Sequence, residues 1–149
     1  MKERFKLIAA GYLILTKENK ILLSRRHNTN FCDGMYGLRS GQVEAGESVL
    51  TALAREAREE IGVEFVPSAA ELVHIHSRQA SDGHRLDAFF NVKEVKGEVR
   101  NLEPDKCDDL SWFSLDALPE NVVPYVRRVL EAVQKGERYS ESGWENKEK

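Results

Sequence analysis

The stretch GQVEAGESVLTALAREAREEIGV, residues 41–63, decides the fold of this 149-residue chain. Its first part is a loop between Gly41 and Gly46, where the backbone must turn sharply. Ser48 is a suitable N-cap for the helix that follows, and Gly62 is placed to end that helix as the residue after its last turn. The stretch therefore predicts a glycine-rich loop that leads directly into an amphipathic helix.

One edge of this predicted helix is acidic. Glu56, Glu59 and Glu60 share an arc of about 100°, beside an apolar arc that can be buried. Like charges at these spacings repel, and negative charge near a helix C-terminus opposes the macrodipole. Clustered carboxylates suit hard divalent cations, so the pattern indicates a site for Mg²⁺ or Mn²⁺. The alternative is a solvated charged face that pairs with Arg55 and Arg58.

The spacing of the charged residues and glycines resembles the Nudix box, GX5EX7REUXEEXGU. Ala57 stands where that family has a larger aliphatic residue. The resemblance implies the Nudix fold, an α/β fold in which a mixed β-sheet is sandwiched between α-helices (α/β/α). The fixed positions of the box are filled by Gly41, Glu47, Arg55, Glu56, Glu59, Glu60 and Gly62.

The same resemblance assigns roles to the charged residues of the box. Glu56, Glu59 and Glu60 are the implied metal ligands, and with Arg55 they form the implied catalytic set. Glu59 or Glu60 is the most central ligand, and Glu47 has a supporting role through a metal-bound water. In the family the arginine pairs with a box glutamate and orients it, which is a role for Arg55.

The chain departs from the family just before the box. The family has Leu-Pro-Gly-Gly there, whereas this chain has Leu38-Arg39-Ser40-Gly41. A backbone carbonyl next to the glycine commonly joins the metal ligands in the family. Ser40 is the candidate for that carbonyl, although its φ/ψ range is narrower than that of glycine. Arg39 adds a positive group near the site and is a candidate substrate-binding residue.

Two further arginines and two acidic residues are candidates outside the box. Arg25 and Arg26 could contact substrate phosphates, since a guanidinium matches phosphate oxygens in a bidentate fashion. The alternative for both is surface solubility. Glu103 and Asp109, in an acidic stretch at residues 101–109, are candidates for an additional metal ligand or general base, against the alternative of a solvated loop.

The remaining patterns predict strands and one more helix. Residues 7–15 and 21–23 form an apolar hairpin, and residues 86–95 form the longest strand. Residues 71–77 alternate and place His74 and His76 on one strand face, which we expect to be solvated or to face substrate rather than to bind a metal. The second helix is predicted over residues 122–135. It is followed by a polar tail, residues 137–149, which contains Tyr139 and Trp144.

Composition favours one soluble domain that spans residues 1–149. Hydrophobic residues make up 41% and charged residues 32%, and the net charge of −3 gives no basic surface for a nucleic acid polymer. No apolar run is long enough to cross a membrane. Cys32 and Cys107 are far apart and lack metal-ligand spacing, which favours a cytoplasmic protein with free thiols.

The expected activity is Mg²⁺-dependent hydrolysis of a phosphoanhydride bond in a nucleoside diphosphate derivative. The first hypothesis is a nucleoside triphosphate cleaved to monophosphate and pyrophosphate, because a small domain carries little beyond the fold core. The alternatives are ADP-ribose, a nucleotide sugar or a dinucleoside polyphosphate as substrate, or a nucleotide-sensing module without turnover. Both a monomer and a homodimer remain open. Four aromatic residues could stack on a base or belong to the core: Phe31, Tyr36, Phe89 and Trp112.

Overall fold

The computed structural model describes residues 2–145, which form a mixed sheet with a helix on each face. A short 3-10 turn at Pro67–Ala69 precedes the fifth strand. The strands and helices, in chain order, are β1 (Ile8–Lys17), β2 (Lys20–Arg26), β3 (Tyr36–Gly37), β4 (Arg39–Gln42), α1 (Val49–Ile61), β5 (Glu71–Ala80), β6 (Gly83–Val92), β7 (Cys107–Ser114), α2 (Pro124–Gln134) and β8 (Tyr139–Ser142).

The sheet is mixed, as the sequence predicts. Its strands run in the order β3-β2-β1-β6-β5-β8, with β4 paired to β1 and β7 paired to β2. β1 is parallel to β6 but antiparallel to β2 and β4. The central position of β1 places β4, which leads into the glycine-rich loop, beside the middle of the sheet.

Helix α1 covers one face of the sheet. Its apolar stripe, spaced by four residues, is Leu53, Ala57 and Ile61, and all three side chains are buried. They share a hydrophobic cluster with Leu13 and Leu15 of β1. The apolar arc expected beside the acidic edge is therefore the part of the helix that binds the sheet.

Helix α2 covers the opposite face. Val126 and Val129 of this helix lie in a second cluster with Tyr12 and Ile14 of β1. Because neighbouring residues of a strand point to opposite faces, the two clusters lie on the two sides of β1. The predicted α/β/α arrangement is confirmed. Neither helix has the length and apolarity needed to span a bilayer.

The element bounds differ slightly from the sequence prediction. The long strand begins at Gly83 and ends at Val92, since Ala80 pairs with Gly83 in a tight β5–β6 hairpin. Helix α2 begins at Pro124, which has no N–H to lose in a first turn, and it ends at Gln134.

The C-terminal segment is more ordered than a polar tail. Tyr139–Ser142 forms β8, which pairs in parallel with β5, and the Trp144 Nε1–H donates to the Ser77 carbonyl at 3.1 Å. Residues 146–149 of the predicted tail lie outside the described residues. Residues 139–142 lack an apolar run, so local patterning gave no signal for a strand there.

The expectation that His74 and His76 are solvated or face substrate is wrong. Their exposed fractions are 1% and 0%, because β8 lies alongside them. Ser140 Oγ lies 2.7 Å from His74 Nε2 and 2.6 Å from His76 Nδ1, and Ser142 Oγ lies 2.8 Å from His76 Nε2. The serines of β8 satisfy ring nitrogens that would otherwise be costly to bury.

Candidate active site

The helix that carries the acidic edge begins and ends at the residues that the sequence predicts. The Ser48 side chain accepts a hydrogen bond from the Thr51 backbone N–H at 3.1 Å, which caps the first turn. Gly62 follows the last turn with φ of 73°, a left-handed conformation that favours glycine. These two caps fix which residues lie on the solvent-facing edge of α1.

Gly41 is required by close packing of β4 against α1. A Cβ at this position would lie 2.7 Å from the Ala52 carbonyl oxygen and 2.9 Å from Glu56 Cγ. A backbone oxygen cannot rotate away, so any larger residue would push the strand off the helix. The glycine thus brings the backbone around Ser40 close to the acidic edge.

Arg55 is the hub of the first half of the site. It donates from Nε to Glu47 Oε2 at 2.6 Å, from Nη2 to Glu47 Oε1 at 3.0 Å, and from Nη1 to Glu56 Oε1 at 2.7 Å. Its bond to Glu59 is longer, at 3.4 Å. The hydrogen bonds from Arg55 lower the pKa of the Glu47 carboxyl. Arg55 therefore fixes the loop to the helix and orients Glu56.

Glu60 forms the second half of the site, and its cationic partner is Arg39. Its side chain is 12% exposed; burial and the neighbouring Glu56 raise its pKa, and Arg39 lowers it. Glu56 and Glu60 each pair with one arginine and still repel each other, so a cation bound between them would lower that repulsion. The oxygen donors of Glu56 and Glu60 therefore fit a divalent ion such as Mg²⁺.

The carboxylates do not converge in the structure as it stands. Within residues 2–145 no group of three acidic, histidine or cysteine side chains forms a ready-made metal site. Arg55 holds Glu56, and Arg39 holds Glu60, while the Glu59 side chain is 57% exposed. Metal binding by all three would require these side chains to turn from their arginine partners toward a common point.

Arg39 contacts acidic residues rather than open solvent. Its Nε donates to Glu60 Oε1 at 2.8 Å, and its Nη2 donates to Glu103 Oε1 at 3.0 Å. Glu103 is thereby brought to the acidic edge of α1. Asp109, the other candidate carboxylate, instead accepts hydrogen bonds from Tyr36 and Ser111.

Arg25 and Arg26 lie at the end of β2, and their side chains contact different partners. Arg25 donates to Asp108 at 2.7 Å, on the exposed surface. Arg26 donates to the Phe31 carbonyl at 2.6 Å, and its guanidinium lies 5.2 Å from the Phe31 ring centroid. Arg26, but not Arg25, lines the two cavities described next.

A cleft with a volume of about 740 Å³ adjoins the acidic site. A smaller cavity of about 180 Å³ contains Arg39, Glu60 and Glu103, and both Arg26 and Ser40 line the two cavities. The two cavities are therefore neighbours. The large cleft has cationic and aromatic lining residues: Arg26, Arg78, Arg128, Tyr12, Phe31 and Tyr125.

The candidate stacking residues divide between cleft and core. Phe31 is exposed and lines the cleft, whereas Tyr36 and Phe89 are buried in the cluster beneath α2. Trp112 packs against the cluster beneath α1. A base-stacking role in this cleft is open to Phe31 alone among the four.

Arg78 is a cleft residue that the sequence patterns do not predict. It is 9% exposed, its guanidinium lies 4.1 Å from the Tyr125 ring centroid, and its Nε donates to Asp87 at 3.1 Å. The available signal is the alternation of β5, since Arg78 follows His74 and His76 at two-residue spacing on the same face. Asp87 and Tyr125 lie far away in sequence, so that signal does not identify the partners.

Known proteins are similar to this chain in both sequence and fold. A family model described as NUDIX domain matches residues 6–133. The NAD-capped RNA hydrolase NudC of Pseudomonas aeruginosa is 41% identical over 107 residues, which cover 72% of this chain and 36% of that protein. An ADP-ribose pyrophosphatase of Methanocaldococcus jannaschii is 35% identical over 109 residues, which cover 72% of this chain and 62% of that protein.

A solved structure has a similar fold. The MutT NUDIX hydrolase from Burkholderia pseudomallei has a TM-score of 0.77 and 29% identity, over 85% of this chain and 98% of that one. The match to the two curated relatives is narrower, because this chain spans less than two thirds of the length of either.

Proposed function

This chain belongs to the NUDIX family, and from that premise we propose that it hydrolyses a phosphoanhydride bond in a nucleoside diphosphate derivative. The observation that carries the proposal is the complete glutamate set of α1, in which the Glu60 side chain is only 12% exposed and Glu56 and Glu60 each pair with one arginine. Glu56, Glu59 and Glu60 would hold the divalent cation, Mg²⁺ or Mn²⁺. The bound cation would neutralise phosphate charge and polarise the bridging oxygen.

The protein side chains supply orientation and proton transfer. Arg55 holds Glu56 through a 2.7 Å hydrogen bond and ties it to the loop through Glu47. Glu59 is exposed to solvent with one long bond to Arg55, so the carboxylate oxygen that does not hold the cation could accept a proton from a water molecule. Glu103 is a second candidate base, because Arg39 holds it beside Glu60.

Two observations bear on the substrate. A nucleoside triphosphate is the candidate that the sequence favours, because the domain is small and carries little beyond the fold core. The large cleft favours a second candidate, in which the diphosphate is linked to another polar group. A volume of about 740 Å³ is within the range of small-molecule sites, and the cleft presents both arginines and aromatic rings.

The names of the two curated relatives agree with the second candidate. One is described as a hydrolase of NAD-capped RNA and the other as an ADP-ribose pyrophosphatase. Each name specifies a nucleoside diphosphate joined to a further group. An RNA-linked substrate therefore joins the candidates, although the net charge of −3 argues against extended contact with a nucleic acid polymer.

The two free cysteines remain the support for a cytoplasmic protein.

A substrate panel tests the proposal. The panel comprises nucleoside triphosphates, ADP-ribose, nucleotide sugars, dinucleoside polyphosphates, NAD and NAD-capped RNA, each incubated with Mg²⁺ and resolved by chromatography. Turnover of a triphosphate alone would support the first candidate, and turnover of the linked diphosphates would support the second. Tight binding of one compound without any hydrolysis would instead indicate a sensing module.

Variants of the box test the assignment of the glutamates. Glu59→Gln and Glu60→Gln should each lower kcat on the best substrate by about 100-fold or more, since each removes a charged oxygen from the reaction centre. Glu71→Gln, at an exposed position in β5, is the matched control and should leave kcat within twofold. Normal turnover in both box variants would contradict the assignment.

A further inference from the structure

Arg39 occupies a position where it joins two acidic side chains from separate elements. Glu60 belongs to α1, and Glu103 belongs to the loop between β6 and β7. Both Nε and Nη2 of Arg39 donate to Glu60 Oε1, and Nη2 also reaches Glu103 Oε1 at 3.0 Å. The guanidinium therefore bridges the two carboxylates.

The backbone holds each member of this bridge in place independently. Arg39 is fixed by the pairing of β4 with β1, in which it lies opposite Leu13. The loop of Glu103 is attached to the end of α1, since the Leu102 backbone N–H donates to the Glu60 carbonyl at 3.0 Å. The Glu103 N–H in turn donates to Asn101 Oδ1 at 3.0 Å. The meeting of the three side chains is thus set by the fold.

Within residues 2–145, Arg39 is the cationic side chain that forms an ion pair with Glu60. Arg55, the arginine of the box, pairs with Glu47 and Glu56 instead. The side chains of Arg39 and Glu60 are 15% and 12% exposed, so little water is available to replace a lost partner. An ion pair in such surroundings is weakly screened.

The oxygen that Arg39 occupies belongs to a residue that the proposed function assigns to the metal. We propose that Arg39 is a positioning residue that holds Glu60 and Glu103 when no divalent cation is bound, and that it competes with the cation for Glu60. This inference rests on the proposed function. Its consequence is that Arg39 stabilises the metal-free protein and weakens metal binding.

The competition is tested by titration calorimetry of the 149-residue protein with Mn²⁺ in the absence of substrate. Arg39→Met keeps the aliphatic stem and removes the charge, and it should bind Mn²⁺ about tenfold more tightly than the wild type. Arg58→Met is the matched control. Arg58 is an exposed arginine of α1, the helix that carries Glu60, and it forms no ion pair with Glu60. It should change Mn²⁺ affinity by less than twofold.

Thermal unfolding gives a second readout with the opposite sign. In EDTA, Arg39→Met should melt about 3–6 °C below the wild type, because Glu60 loses its partner. Saturating Mn²⁺ should close most of that gap. A residue with a purely structural role would lower the melting temperature without tightening the binding of Mn²⁺.

Arg39→Lys serves if the methionine variant does not fold. Its single ammonium group cannot bridge the two carboxylates as the guanidinium fork does, so Mn²⁺ should bind more tightly than to the wild type, by a smaller factor. Unchanged or weaker Mn²⁺ binding in the folded variants would overturn the inference while leaving the metal site intact. Absence of Mn²⁺ binding to the wild type would overturn both the inference and the proposed metal site.

Discussion

At the scale of single residues, the site depends on contacts that tolerate little change. Arg55 links the loop to the helix through Glu47 and Glu56, and Gly41 allows the strand before the loop to touch the helix. Both residues act by bringing backbone and carboxylate groups within reach of each other. Their roles are geometric, and neither needs to touch substrate.

Gly41→Ala tests this close approach. The added Cβ would meet the Ala52 carbonyl oxygen at 2.7 Å, so β4 must move away from α1. We expect the free energy of unfolding, measured in urea, to fall by about 1–3 kcal/mol, and turnover to fall with it. Gly37→Ala is the control, since its Cβ would meet Val123 at an ordinary 3.8 Å. Equal stability of the two variants would contradict the packing argument.

At the scale of elements, β8 determines the environment of the side chains on β5. It covers β5 and buries two histidines whose ring nitrogens all have partners. The His76 ring also stacks on Tyr125, which lines the cleft beside Arg78. The short polar strand β8 therefore supports one wall of the cleft through His76 and lines the cleft directly with Ser142.

This burial predicts how stability depends on pH. Burial first, and then the positive charges of Arg78 and Arg128, lower the pKa of His76 to about 4, while Glu141 opposes them. The folded-state pKa lies below the unfolded value of about 6.5, so the unfolded chain binds the proton first. The contribution of neutral His76 to stability is complete above pH 6.5 and is lost as the pH falls toward 4.

The measurement is the melting temperature between pH 4 and pH 8 for the wild type and His76→Gln. Other groups titrate in this range, and the difference between the two profiles isolates the histidine. We expect the wild-type advantage to shrink as the pH falls from about 6.5 to 4. A difference that stays constant over the whole range would show that His76 does not titrate with folding.

At the scale of the whole molecule, the cleft is assembled from parts that are distant in the chain. Tyr12 comes from β1, Arg78 from β5, and Tyr125 from α2, and they meet through short polar and aromatic contacts. The small cavity at the acidic site lies next to this cleft, and Ser40 and Arg26 line both. Under the proposed function, chemistry and substrate selection would occupy neighbouring regions.

Arg128→Met tests whether the cleft binds the anionic substrate. Arg128 is an exposed residue that lines the cleft, so its removal should not leave a buried charge unpaired. We expect KM for the best substrate to rise several-fold with kcat nearly unchanged, as for the loss of uniform binding. Lys135→Met, which removes the same charge at the end of the same helix outside the cleft, should leave KM within twofold. A KM that is unchanged in Arg128→Met would place the substrate elsewhere.

The sequence by itself determined the helix α1, its caps and its acidic edge. Those features depend on local rules, because Ser48 and Gly62 act within one turn and the glutamates share one helix. The mixed sheet between helices followed from resemblance of the box, and it is confirmed. Only the tertiary structure decided that β8 buries His74 and His76, that Arg39 joins Glu60 to Glu103, and that Arg78 lines a cleft. Each of those contacts joins residues far apart in the chain, and a local pattern holds no information about which distant partner will neutralise a charge or cover a polar group.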